Sequence, residues 1–241
     1  MIDRILVETH CHTLASAHAF STVAEMATYA KKMGLEAIAI TDHAPDMDDA
    51  PHIWHFSCEV FWPHIMEDMR VFSGAELNIR DASGSVDIED DILAKLNVVI
   101  ASAHQGVTPD LNFEEMTESY LSIIKNPHID ILGHSGTPHF SFDIEKVVKA
   151  AAKEDKIFEI NNHTFGFRKP SIGNCIKIAE AAKKFGTKIA VSTDAHICYE
   201  LGDCSLVLPM LKEIDFPEEL IVNRTLASFE SYQREHNTPI K

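Results

Sequence analysis

A chain of 241 residues that is 45% hydrophobic has ample material for a core and fits one large α/β domain or two small ones. Its formal charge of -16 argues against broad binding to nucleic acids or anionic membranes, which basic patches serve. No stretch approaches the roughly 18 to 20 apolar residues of a membrane span. The start, Met1 to Ile5, has no basic segment ahead of a long apolar one, and the five cysteines show no CxxC spacing, so a cytoplasmic chain with reduced thiols is expected.

The first strand-like run begins near Arg4 and is followed by His10-Cys11-His12. Side chains alternate along an extended chain, so both imidazoles share one face and Cys11 turns the other way, into packing. His18 lies in the loop that follows. Thr22 and Glu25 spell a capping box for a helix with the stripe Val23, Met26, Ala27 and Ala30, and Gly34 is its stop. A second run from Glu36 closes at Thr41-Asp42-His43, and a third from Arg70 ends at Gly74-Ala75-Glu76. The fourth, from Asn97, stops at His104, and the fifth, from Ile129, stops at His134. The sixth begins at Ile157 and leads to Asn161, Asn162 and Arg168. The seventh begins at Lys188 and closes on Thr193-Asp194-Ala195-His196.

Helical periodicity fills the gaps. One helix follows Asn112 (Phe113, Met116, Tyr120), another follows Asp143 (Ile144, Val147, Val148, Ala151), and a third spans 172–185 ahead of Gly186. His64 and His236 also fall in helical patterns, as surface residues, and the chain from Pro217 onward reads as a helical appendage.

The seven runs start 27 to 34 residues apart, the length of one βα unit, which predicts parallel strands. An open doubly wound sheet is the rival, but its ligands draw on only some strand ends. Here candidate residues close six of the seven runs, and bringing them together requires a barrel, whose strands deliver their C-terminal ends to one face. The segment 46–63, with His52, Trp54, His55, Phe56 and Trp62, is expected as a long aromatic loop over the barrel mouth. His128 precedes the fifth strand and belongs to the opposite end. His52, His55, His139 and His163 lie in loops near the candidate face.

Seven histidines, one glutamate and one aspartate thus converge: His10, His12, His18, His43, Glu76, His104, His134, Asp194 and His196. A mixture of imidazole and carboxylate is what divalent metals bind. A lone HxH is a weak signal. Two such pairs at strand ends, with four further candidates at other strand ends, form a strong one, against the alternative of separate hydrogen-bonded side chains.

The pattern His10-x-His12, Thr41-Asp42-His43, Gly74-x-Glu76, His104, His134 and Thr193-Asp194-x-His196 resembles the polymerase and histidinol phosphatase (PHP) superfamily, and within it the small YcdX-type phosphatases. The resemblance implies one domain over 1–241, folded as a distorted seven-stranded (β/α)7 barrel with its metal site at the C-terminal strand ends. It also implies three metals. His10, His12, Glu76 and Asp194 would hold the first, Glu76 bridging to a second on His104 and His134, and His18, His43 and His196 would hold the third. Zinc suits these donors, with manganese or iron as alternatives.

The expected activity is hydrolysis of a small phosphomonoester by a metal-bound hydroxide, with Glu76 and Asp194 at the reacting centre. Arg168 is the candidate cation for the phosphate, because guanidinium matches it bidentately, and a solvated loop arginine is the competing reading. Asn161 and Asn162 are expected to hold loop backbone or to touch the ester. The alternatives are a histidinol-phosphate phosphatase, a nuclease or phosphodiesterase, and a non-catalytic metal-binding domain. The partner is a small phosphorylated molecule, with no membrane, no long polyanion, and room for homo-oligomers.

Overall fold

The computed structural model describes residues 3–235. In chain order the strands are β1 (Val7–Cys11), β2 (Ala37–Ile40), β3 (Ile65–Met66), β4 (Met69–Asn78), β5 (Val98–Ser102), β6 (Ile131–Leu132), β7 (Ile157–Asn161) and β8 (Ile189–Ser192). The helices are α1 (Val23–Met33), α2 (Trp54–Cys58), α3 (Asp90–Leu93), α4 (Phe113–Lys125), α5 (Ile144–Lys153), α6 (Asn162–Phe167), α7 (Ile172–Phe185), α8 (Val207–Glu213) and α9 (Leu226–Glu235). All seven sequence-derived strands are present and parallel, in the order β1-β2-β4-β5-β6-β7-β8. No helix among the described residues is long and apolar enough to cross a membrane.

The helix signals act as read. Thr22 and Asn112 form reciprocal capping boxes with Glu25 and Glu115, Asp143 accepts from the Lys146 amide, and Gly34 and Gly186 end α1 and α7 in the left-handed region.

The seven strands curl into a nearly closed barrel. At the upper end β1 and the chain after β8 meet, where the His12 amide donates to the Ala195 carbonyl at 2.9 Å. Buried Glu8 accepts from the Thr193 amide (3.1 Å) and hydroxyl (2.5 Å) across the same seam. Lower down the seam is filled by the segment 221–224, whose backbone pairs with Leu6, Val7 and Ile189 and whose Asn223 side chain bridges the two strands. Asn223 donates to the carbonyls of Val7 (2.9 Å) and Val191 (2.7 Å) and accepts from the Val191 amide at 3.0 Å.

Replacing Asn223 by alanine strands two carbonyls and an amide in a fully buried place. At about 1–3 kcal/mol for each unsatisfied buried group, with partial relaxation, the expected loss is roughly 3–5 kcal/mol. Equilibrium denaturation reads it. An unmoved midpoint would show that the seam does not need this residue.

Three expectations change, and one hairpin is added. Residues beyond Pro217 are no appendage: Val222, Phe229 and Tyr232 pack with Val7, Phe72 and Ile100 and plug the lower end of the barrel. Gln233 completes the plug by donating to the Asn97 carbonyl at 2.9 Å. His236 lies outside the described residues. His64 is not helical; it sits in a bend before β3, its carbonyl accepting from the Val71 amide. The hairpin β3–β4 escaped notice because its turn, Glu67-Asp68, takes positive φ values of 52° and 59° without the glycine or asparagine that announces such turns. The segment 46–63 is not a plain loop either. It holds α2 and a 3-10 turn over Glu59–Phe61, anchored by buried Phe56 and by the Glu59 carboxylate, which accepts from the Gly74 amide at 2.9 Å.

Candidate metal centre

The nine residues meet at the upper end of the barrel. Glu76, at the end of β4, stands in the middle. Its Oε2 lies 3.4 Å from His10 Nε2, 3.6 Å from His12 Nε2 and 2.9 Å from His43 Nδ1. Its Oε1 lies 3.2 Å from His104 Nε2 and 2.9 Å from His134 Nε2. Asp194 Oδ1 lies 3.1 Å from His12 Nε2 and 3.6 Å from His10 Nε2. The ligating atoms of His12, His43 and His196 all fall within 4.8 Å of one another. Half-exposed His18 is the outermost member, its ring 4.5 Å from that of His196 and 5.1 Å from that of His43.

Close strand packing makes this convergence feasible. A Cβ on Gly74 would come within 2.5 Å of the Val98 carbonyl, and one on Gly133 within 2.1 Å of the Ser102 hydroxyl. Both glycines let neighbouring strands approach just below Glu76 and His134. His134 and Asp194 themselves have positive φ values of 22° and 56°. Non-glycine residues hold such backbone only when their surroundings over-determine it, here at two positions facing the same cluster.

A second layer fixes which ring nitrogen faces inward. His10 donates from Nδ1 to Glu159 Oε1 (2.6 Å), His104 from Nδ1 to Asn78 Oδ1 (2.7 Å), and His196 from Nδ1 to the Asp194 carbonyl (2.8 Å). His18 Nδ1 pairs with Asp49. In each case Nε2 keeps its lone pair for the centre, the arrangement that orients and strengthens metal-binding imidazoles. Glu159 also accepts from the His134 amide (2.6 Å) and the Ser192 hydroxyl (2.5 Å). Asn78 is held by Asp87, and Asp42 ties the turn before His18 to β2 through Thr13 and Ser16.

The charges are strongly coupled. Burial opposes ionisation of Glu76 and Asp194, yet the adjacent imidazoles, His10 foremost, hold both carboxyls well below the ordinary range. Burial likewise opposes protonation of His10, but Glu159, Glu76 and Asp194 raise it well above the usual imidazole value. His12 is pushed down to about 3 by burial and by neighbouring His43. Glu8, behind the site, is pushed up to about 7 by burial.

These donors fit divalent metals. Glu76 Oε2, His104 Nε2, His196 Nε2 and both ring nitrogens of His43 are buried without a hydrogen-bond partner among protein atoms. Buried polar atoms are ordinarily satisfied. Aimed together and left unpaired, they have the character of first ligands to cations.

Arg168 closes α6 and reaches the same place, its Nη2 3.7 Å from Asp194 Oδ2. It lines a cavity of about 260 Å³ together with Glu76, His104, His134, His163 and His196. Asn161 donates to Asp194 Oδ2 (3.1 Å) and caps α6 through Thr164, while Asn162 accepts from the amides of Leu206 and Val207; both hold protein groups. Among the other histidines, His163 lines the cavity, His55 stands 3.2 Å from Asp42, and His52 is exposed. Cys11 faces away as read, donating to the Ala39 carbonyl.

Glu8, Asp42, Asp49, Asn78 and Glu159 were missed as supporting residues. For Glu8 and Glu159 a signal existed: each is an acid inside an apolar strand run, Val7-Glu8 and Ile157-Phe158-Glu159-Ile160.

The sequence profile of the PHP domain family matches residues 8–165, more than half of the chain. The chain belongs to that family. Relatives of this chain include a probable phosphatase of Acetivibrio thermocellus, 42% identical over 229 residues, with 95% of each chain covered. A probable phosphatase of Shewanella halifaxensis is 40% identical over 223 residues, covering 92% of this chain and 90% of its own. Among solved structures, the histidinol phosphate phosphatase of Lactococcus lactis, complexed with zinc, L-histidinol and phosphate, superposes with a TM-score of 0.64. At 20% identity over 88% of this chain and 94% of that one, it shows the shared fold alone.

Proposed function

We propose that the chain is a metal-dependent phosphatase that hydrolyses a small phosphomonoester at a trinuclear centre. The observation that carries this reading is the position of Glu76, whose two oxygens face two separate groups of histidines. In this reading His10, His12, Glu76 and Asp194 hold one ion, Glu76, His104 and His134 a second, and His18, His43 and His196 a third. The family, and relatives named probable phosphatases, support the phosphoester chemistry. Zinc suits the donor set, and manganese or iron would also be accepted.

Divalent ions bound there supply Lewis-acid neutralisation of phosphoryl oxygens and a lowered pKa for water. The chain's residues do the rest. Glu159, Asn78 and Asp49 hold His10, His104 and His18 by their Nδ1 atoms, so the ligands are oriented before substrate arrives. Asn161 fixes Asp194, and Arg168 presents its guanidinium at the cavity wall for the remaining phosphoryl oxygens. No serine, threonine or cysteine lines this cavity among the described residues, and its carboxylates and all its histidines but His163 are ligands in this reading, which favours direct attack by water over a covalent enzyme intermediate.

The test pairs elemental analysis with hydrolysis of benzyl phosphate and of its methyl diester, read for both esters as release of the alcohol. Metal-replete protein should release phosphate from the monoester, and chelation should abolish release until metal is restored. A preference for the diester would favour a phosphodiesterase instead. Arg168→Ala should raise KM for the monoester by about tenfold to a hundredfold, the weight of one charge-assisted contact, while metal content stays constant. Unchanged kinetics would remove Arg168 from the site.

A further inference from the structure

The cavity lined by the candidate ligands adjoins a second one of about 480 Å³. Met47, His104, His134 and Arg168 are walls of both. A molecule whose phosphoryl group lies between Arg168 and the histidines therefore places its remaining part in the second space. That space has the size of a small-molecule site.

Its other walls are of two kinds. Ala103, Pro138, Phe140 and Pro170 are apolar, and Gln105, Thr137 and Ser171 are polar but uncharged. His139 completes the lining, with Nε2 held 2.9 Å from Asp110 Oδ1. Asp110 itself stands in solvent, 91% exposed at its side chain, and is not a wall. Among the described residues no aspartate, glutamate or lysine lines this second cavity.

We propose that the second cavity is the leaving-group subsite and that it selects an uncharged, largely apolar or aromatic alcohol. The proposal rests on the phosphatase reading above. An ammonium-bearing leaving group would lose its hydration here without gaining a carboxylate partner. A second phosphate would find no second permanent cation, because Arg168 serves the first. Pro138, Phe140 and Pro170 instead offer stiff apolar surface to a ring, and Gln105 and Thr137 offer hydrogen bonds to a hydroxyl or amide on it. The site thus excludes charged leaving groups by leaving them unpaired, which is how a binding site rejects as well as accepts.

The test compares kcat/KM for benzyl phosphate, histidinol phosphate and ribulose bisphosphate with metal-replete protein. All three release phosphate from a primary alcohol, so intrinsic reactivity is matched. Benzyl phosphate should lead by about tenfold or more, chiefly through KM. Gln105→Glu places a carboxylate at an exposed position of the wall, where the fold tolerates it. That variant should move the ratio of histidinol phosphate to benzyl phosphate upward by about tenfold. Wild-type protein that handles either charged ester as well as benzyl phosphate overturns the subsite, as does a ratio unmoved by Gln105→Glu. Absence of phosphate release from every ester overturns the phosphatase reading, and this one with it.

Discussion

Glu76→Ala is expected to cost at least about three orders of magnitude in turnover, roughly 4 kcal/mol of transition-state stabilisation, together with loss of bound metal. The geometry explains the size. One carboxylate serves five imidazoles at 2.9–3.6 Å, so its removal takes a donor from two groups at once. It also removes the nearest counter-charge from His43 and one of those around His10, whose nearest is Glu159. Elemental analysis beside the rate measurement separates a lost ion from a merely misplaced one. Full activity and full metal content in this variant would contradict the bridged arrangement.

Glu159→Gln should produce the next largest effect without touching a metal directly. The carboxylate accepts four hydrogen bonds, from His10 Nδ1, the His134 amide, the Ser192 hydroxyl and Asn161 Nδ2. A carboxamide of the same shape puts an N–H against one of those donors. Either His10 turns or the His134 backbone, held at a φ of 22°, relaxes. Changes in such supporting groups typically weaken metal affinity or activity by about 10- to 100-fold. The expected signature is lower metal affinity, with turnover partly restored by excess metal. A purely structural role would lower the unfolding midpoint and leave metal affinity alone.

The sequence carried most of the candidate ligand layer because each member interrupts an apolar run at the strand end, where a buried polar residue stands out from its neighbours. His10, His43, Glu76, His104, His134 and Asp194 share that signature, and all of them are brought together. The supporting layer was harder to read. Glu159 and Glu8 lie inside strands, where a buried acid is legible only once its hydrogen-bond donors are known. Asp49 and Asn78 act on histidines 31 and 26 residues away, a distance that composition and periodicity do not register. The C-terminal segment misled for a related reason. Its apolar stripe names what must be covered, not the open barrel end that covers it.

The carboxamide that joins the first strand to the last belongs to a residue, Asn223, that follows every ligand in the chain. The seam is therefore held from two directions: His12 with Ala195 and Glu8 with Thr193 fasten it beside the candidate ligands, and Asn223 fastens it below, so loosening the lower clasp reaches His10 and Asp194 only through the strands that carry them.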